Sequence, residues 1–125
     1  MQNPVNATTD PVWAATLNSM RGLTYGIRTE RAVRQEAMVF VIAVPLGLVI
    51  APSVGWYVAM IVVLFGTLAI ELLNTAVEKL ADRITQEEDV AIGRVKDFGS
   101  AAVFCMLCVD ALTWGAALAI RFHWF

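Results

Sequence analysis

Between Ala37 and Ile70 the chain contains no Asp, Glu, Lys or Arg. In lipid, every backbone N–H and C=O must be bonded within the chain, so an uncharged run of this kind favours helices. One span takes about 20 apolar residues, and the run is too long for a single one. Pro45, Gly47, Pro52, Ser53 and Gly55 interrupt it, which predicts two helices joined by a tight turn near Pro52 to Gly55. The spans are expected at about 36–51 and about 56–73, with a third at about 98–120 that is apolar except for Asp110. A composition of 58% hydrophobic and 16% charged residues, with mean hydropathy +0.66, excludes a soluble domain. The chain reads as a single all-α integral-membrane domain over residues 1–125.

Basic residues orient such a protein, because Lys and Arg accumulate on cytoplasmic segments. Arg21, Arg28, Arg31 and Arg34 precede the first span, and Lys79, Arg83, Arg94 and Lys96 lie between the second and third. The turn near Pro52 has none, and only Arg121 follows the third span. The N-terminus is therefore expected in the cytoplasm, with Trp56, Tyr57, Trp124 and Phe125 in an outer aromatic belt. The N-terminal segment lacks the pattern of a cleavable signal peptide. It reads as a surface helix over about 10–30, with Asp10 as N-cap, Pro11 at the first helical position, and Trp13, Leu17, Met20, Leu23 and Ile27 at helical spacing. That helix either lies in the headgroup layer or covers the spans. Cys105 and Cys108 read as small packing residues, and no Cys/His metal spacing is present. Nothing in the charge pattern calls for nucleic acid.

Chemistry concentrates where the uncharged run ends. Glu71, Asn74, Glu78 and Asp82 fall on one narrow helix face. Glu71 is the deepest of the acids, in apolar surroundings that suit a proton acceptor near neutral pH. Glu78 lies closer to water and is better placed to hold a hard cation. Glu30 could add a second oxygen, the sparse carboxylate set that Mg²⁺ bridging to phosphates requires. Lys96 could steady phosphate oxygens while Asp97 orients it or a metal-bound water. Plainer readings exist for each: interface anchors for Arg94, Lys96 and Asp97, an i, i+4 pair for Glu30 with Arg34, and interhelical hydrogen bonding for Glu71 with Asn74. Neither a Walker A sequence nor GxGxxG occurs. The residues alone support a metal-dependent or proton-handling site at the cytoplasmic interface.

The strings Glu71-Leu-Leu-Asn-Thr-Ala-Val-Glu78, Asp82-Arg83-Ile84 and Gly93-Arg-Val-Lys-Asp-Phe-Gly-Ser-Ala-Ala102 closely resemble the bacterial diacylglycerol kinase family, as does Arg34-Gln35-Glu36 with Arg21-Gly22-Leu23 and Glu30 ahead of it. The resemblance covers about Ser19 to Trp114. It implies a homotrimer of three-span subunits with a surface helix, set in the bacterial inner membrane, which transfers the γ-phosphate of ATP to the hydroxyl of diacylglycerol with Mg²⁺. By the resemblance, Glu71 is the general base, Glu30 and Glu78 bind metal, and Asn74, Lys96 and Asp97 belong to the same active site. Glu87, Glu88 and Asp89 fall where the family's loop approaches the nucleotide. Arg34, Gln35, Ser100 and Trp114 match positions at the lipid site. Three thin spans cannot enclose Glu71 and Asn74 alone, so active sites shared between subunits are expected.

The chain departs from that family in having no Lys or Arg before Ser19, and in Asp110 within the third span. An intramembrane carboxylate is a functional candidate. Asp110 is expected to be hydrogen-bonded at a subunit contact or to influence lipid choice, on one face with Trp114. An undecaprenol kinase of the same family is the nearest alternative function. A small oligomeric proton or cation channel, or a non-enzymatic assembly subunit, represents a different class.

Overall fold

The computed structural model describes residues 10–123. Four helices follow one another: α1 (Pro11–Thr29), α2 (Arg31–Ile50), α3 (Val54–Ile84) and α4 (Val90–Arg121). The last three are long and apolar enough to cross a membrane. Trp124 and Phe125 of the expected aromatic belt lie outside the described residues.

The helix starts follow from their caps. The Asp10 carboxylate accepts from Val12 N at 2.9 Å and Pro11 takes the first turn, as expected from the sequence. Ser53 caps α3 by accepting from Trp56 N at 3.4 Å. Asp89 caps α4, its Oδ1 accepting from Ala91 N at 2.8 Å and Ile92 N at 3.0 Å. Glu30 is the single extended residue between α1 and α2.

The turn near Pro52 is present, but Pro45 and Gly47, expected to help break the run, lie inside α2. Proline costs α2 one backbone hydrogen bond, a loss that helices of this kind tolerate. Gly47 has a packing role: a Cβ there would meet the Tyr57 ring at 3.1 Å. The Tyr57 hydroxyl donates to Val44 O at 3.2 Å, tying α2 to the start of α3. α3 and α4, at 31 and 32 residues, extend well beyond the spans read from hydropathy. A bilayer core of about 30 Å takes about 20 helical residues. The polar ends of both helices simply continue as helix in water.

The buried residues of α3 are Met60, Leu64, Thr67, Glu71, Asn74 and Ala81, steps of three, four or seven that mark one helix face. That face packs chiefly against α4. The pairs along this seam run antiparallel: Asp82 with Lys96, Asn74 with Gly99, Thr67 with Asp110, and Met60 with Trp114. α2 packs on α3, where the Phe40 and Phe65 rings meet at 4.4 Å between centroids, tilted by 59°.

Apolar side chains such as Val41, Leu48, Phe98, Phe104 and Leu112 face outwards. A water-soluble monomer would not carry surface of this kind. Cys105 and Cys108 are also exposed on the single chain, and so are not packed within it as expected. On α1, Trp13, Leu17 and Met20 are exposed. That apolar side is not spent on the spans, which favours the headgroup-layer reading over the covering one.

Candidate active site

Halfway along the buried face of α3, the side chains change from apolar to polar. Met60 and Leu64 give way to Thr67, Glu71 and Asn74, all within the same seam. Glu71 is only 6% exposed. One turn on, the Asn74 amide Nδ2 donates to Glu78 Oε1 at 3.2 Å, while Asn74 Oδ1 is buried without a partner. Gly99 of α4 faces that oxygen so closely that a Cβ at position 99 would overlap it. Glu78 is exposed, so the stripe grades from a buried carboxylate to a solvated one. Glu71 is thus the deeper carboxylate and Glu78 the one nearer water, as the end of the apolar run predicts.

Two ion pairs flank the stripe. Glu30 Oε1 pairs with Lys79 Nζ at 2.7 Å and accepts from Thr29 Oγ1 at 2.9 Å. Those two bonds, Lys79 first, hold the Glu30 carboxyl below its ordinary range. Lys79 also lies 5.8 Å from the centroid of the Tyr25 ring, and so clamps the α1–α2 junction onto α3. The i, i+4 pairing of Glu30 with Arg34 is not formed. What links these residues is Arg34 N donating to Glu30 O at 3.1 Å.

Lys96 Nζ pairs with Asp82 Oδ1 at 2.6 Å. Asp97 was the expected companion of Lys96, but adjacent residues on a helix point about 100° apart. Lys96 reaches α3, and Asp97 is exposed. Asp82, Glu87, Glu88, Asp89 and Lys96 border one depression of about 490 Å³ at the α3–α4 connection. Asp89 is committed to capping α4 there, and Glu87 N donates to Thr85 Oγ1 at 3.1 Å. The depression carries more acid than base, so a polyphosphate entering it needs both Lys96 and a cation.

On the lipid side of the stripe, a groove of about 440 Å³ is lined by Glu36, Ile42, Leu46, Leu107, Asp110 and Trp114. Trp114 is half-buried, its Nε1 donating to Met60 O at 3.3 Å. Asp110 shares the groove with Trp114, as their spacing predicts, and its Oδ2 lies 2.5 Å from Thr67 Oγ1. Arg34, Gln35 and Ser100, expected at the lipid site, are exposed and do not line this groove.

Glu36, Thr67 and Gly99 had no assigned role in the sequence. Thr67 precedes Glu71 by four residues on the stripe, a signal that was legible. Glu36 is the last charge before the uncharged run, which was a hint. The role of Gly99 depends on a contact across the seam that no local pattern encodes.

The profile of prokaryotic diacylglycerol kinases matches residues 17–118. A diacylglycerol kinase of Haemophilus influenzae is 38% identical over 104 residues, covering 83% of this chain and 88% of that protein. One from Pseudomonas aeruginosa is 36% identical, covering 83% of this chain and 85% of its own length. The Escherichia coli K12 protein of that name is 34% identical over 96 residues, covering 77% of this chain and 79% of its own. With three long apolar helices and a polar stripe at the end of the second, the chain belongs to the prokaryotic diacylglycerol kinase family.

Proposed function

We propose that this protein is a diacylglycerol kinase of the bacterial inner membrane, transferring the γ-phosphoryl group of ATP to the free hydroxyl of diacylglycerol to give phosphatidic acid. The observation that carries the reading is a buried carboxylate, Glu71, on the same seam as Asn74, at a position along α3 between Leu64, which lines the apolar groove, and Asp82, which lines the polar depression. Acyl chains stay in lipid on one side while ATP stays in water on the other.

Glu71 takes the hydroxyl proton as the lipid oxygen bonds to the γ-phosphorus and the β–γ bridging bond breaks, leaving ADP. Asn74 positions the reacting groups from beside the base. Lys96 draws phosphate oxygens towards α4, and the Glu87–Asp89 segment borders the nucleotide. Asp97 supports that end from the exposed face of α4. Arg34, Gln35 and Ser100 meet the lipid headgroup outside the groove, and Trp114 borders its chains.

Glu30 and Glu78 would hold Mg²⁺, which when bound neutralises phosphate charge. The hard-oxygen donors fit, and among the described residues no three acidic, His or Cys side chains form a protein cage.

The outward-facing apolar surface supports a homotrimer. The single chain already buries Glu71 and Asn74, contrary to the expectation that neighbouring subunits are needed to cover them. The distribution of basic residues supports a cytoplasmic N-terminus. Purified protein offered labelled ATP with diacylglycerol and undecaprenol in parallel tests the substrate. Phosphatidic acid as the main product supports this function; transfer to the polyprenol alone moves the protein to the undecaprenol branch.

A further inference from the structure

We propose that Lys79 is a built-in counter-ion of the metal site, competing with the divalent cation for the Glu30 carboxylate and so limiting how tightly the protein holds metal. The inference deepens the kinase reading above and rests on its assignment of Glu30 and Glu78 as the metal ligands.

Lys79 directly follows Glu78 in the sequence. Neighbouring residues on a helix leave it about 100° apart, so the two side chains reach different partners. Glu78 accepts from Asn74 Nδ2 at 3.2 Å, and it is Lys79 that crosses to Glu30, Nζ lying 2.7 Å from Oε1. Glu30 is fixed there by its own backbone, whose N–H donates to Gly26 O at 2.8 Å and whose carbonyl accepts from Arg34 N at 3.1 Å. Thr29 Oγ1 lies 2.9 Å from Glu30 Oε1 and 2.9 Å from Tyr25 O, and with one proton it serves only one of them. Among the described residues, Lys79 is the one cation paired with this carboxylate.

A hard cation seeks the carboxylate oxygens that the ammonium already holds. Whichever oxygen of Glu30 it takes, it lies within a few ångströms of Nζ. A divalent ion about 4 Å from an ammonium is repelled, even at the dielectric of water, by enough to change an equilibrium constant about tenfold or more. Metal loading therefore requires Lys79 to withdraw. The Lys79 and Glu30 side chains are 50% and 26% exposed, so their pair is worth little by itself and opens readily. Tyr25 offers the released ammonium an alternative, since Nζ lies 5.8 Å from the centroid of its ring.

The test uses the full-length protein in bicelles with Mn²⁺ alone, without nucleotide or substrate, and reads bound metal by electron paramagnetic resonance. Lys79→Met is expected to bind Mn²⁺ about tenfold more tightly than wild type. Lys79→Arg, which keeps the charge, is expected to stay near wild type, and Glu30→Gln/Lys79→Met to lose the gain. A clamp with a purely structural role would leave the affinity unmoved. In the wild-type protein, the Lys79 side-chain NMR resonance is expected to shift as Mg²⁺ is added, and to stay in place in Glu30→Gln. An unchanged affinity in Lys79→Met, a gain that survives Glu30→Gln, or an unmoved wild-type resonance overturns the assignment. No phosphoryl transfer enters these measurements, so their failure leaves the kinase function standing. Absence of transfer to diacylglycerol by wild type would instead refute that function.

Discussion

Asn74 and Gly99 meet across the α3–α4 seam so closely that position 99 has no room for a side chain. The amide of Asn74 is held between that backbone and Glu78. Its place beside Glu71 is therefore set by the absence of a Cβ on the neighbouring helix.

Gly99→Ala pushes Asn74 off its position, and displacements of this scale cost reaction geometry more than binding. Its kcat is expected to fall by about 10- to 100-fold with KM for ATP and lipid little changed. Gly22, with open space around it, is the contrast: Gly22→Ala is expected to raise helix stability by about 0.5–1 kcal/mol. Steady-state kinetics and thermal melts in detergent check both.

The Lys96–Asp82 pair separates function from stability. Both side chains are substantially exposed, and pairs of this kind contribute about 0–1 kcal/mol. Asp82→Asn and Lys96→Met should therefore shift unfolding by less than about 1 kcal/mol. Lys96→Met alone is expected to raise KM for ATP by about tenfold, because in the proposed mechanism Lys96 is the cation that draws the phosphate oxygens. Binding of a fluorescent ATP analogue reads the difference.

Glu30 titrates below its ordinary range because Lys79 and Thr29 bond the charged form. A carboxyl lowered on folding stabilises above its unfolded value, about 4.3 for Glu, and loses that contribution only as pH falls through the lower folded value. The Glu30–Lys79 clamp thus persists throughout the neutral range. In Lys79→Met, the Glu30 carboxyl followed by NMR is expected to titrate higher, back towards about 4.3. An unmoved midpoint would mean that Lys79 is not what holds it.

The sequence made the helices legible because their signals are local: an uncharged run, Asp10-Pro11 as a helix start, and a turn at Pro52. Pro45 was misleading, since a proline that breaks a helix in water is accommodated inside one packed against Tyr57. The polar stripe Glu71-Asn74-Glu78 was visible from spacing, and its grading from buried to exposed followed from where the apolar residues stop. The partners of that stripe were not. Lys96 was matched to its sequence neighbour Asp97, whereas helix geometry sends it to Asp82 on α3. Asp110 was expected to be hydrogen-bonded, but its partner Thr67 depends on the antiparallel register of α3 and α4, which hydropathy does not encode.

The central claim is that Glu71 accepts the lipid hydroxyl proton during phosphoryl transfer. It is tested by phosphatidic acid formation from ATP and diacylglycerol by wild type and Glu71→Gln, each first shown to be folded and to bind a fluorescent ATP analogue. The account predicts Mg²⁺-dependent product from wild type and a loss of about 10²- to 10⁴-fold in kcat for the variant, with nucleotide binding retained. A variant that keeps the wild-type rate would contradict it.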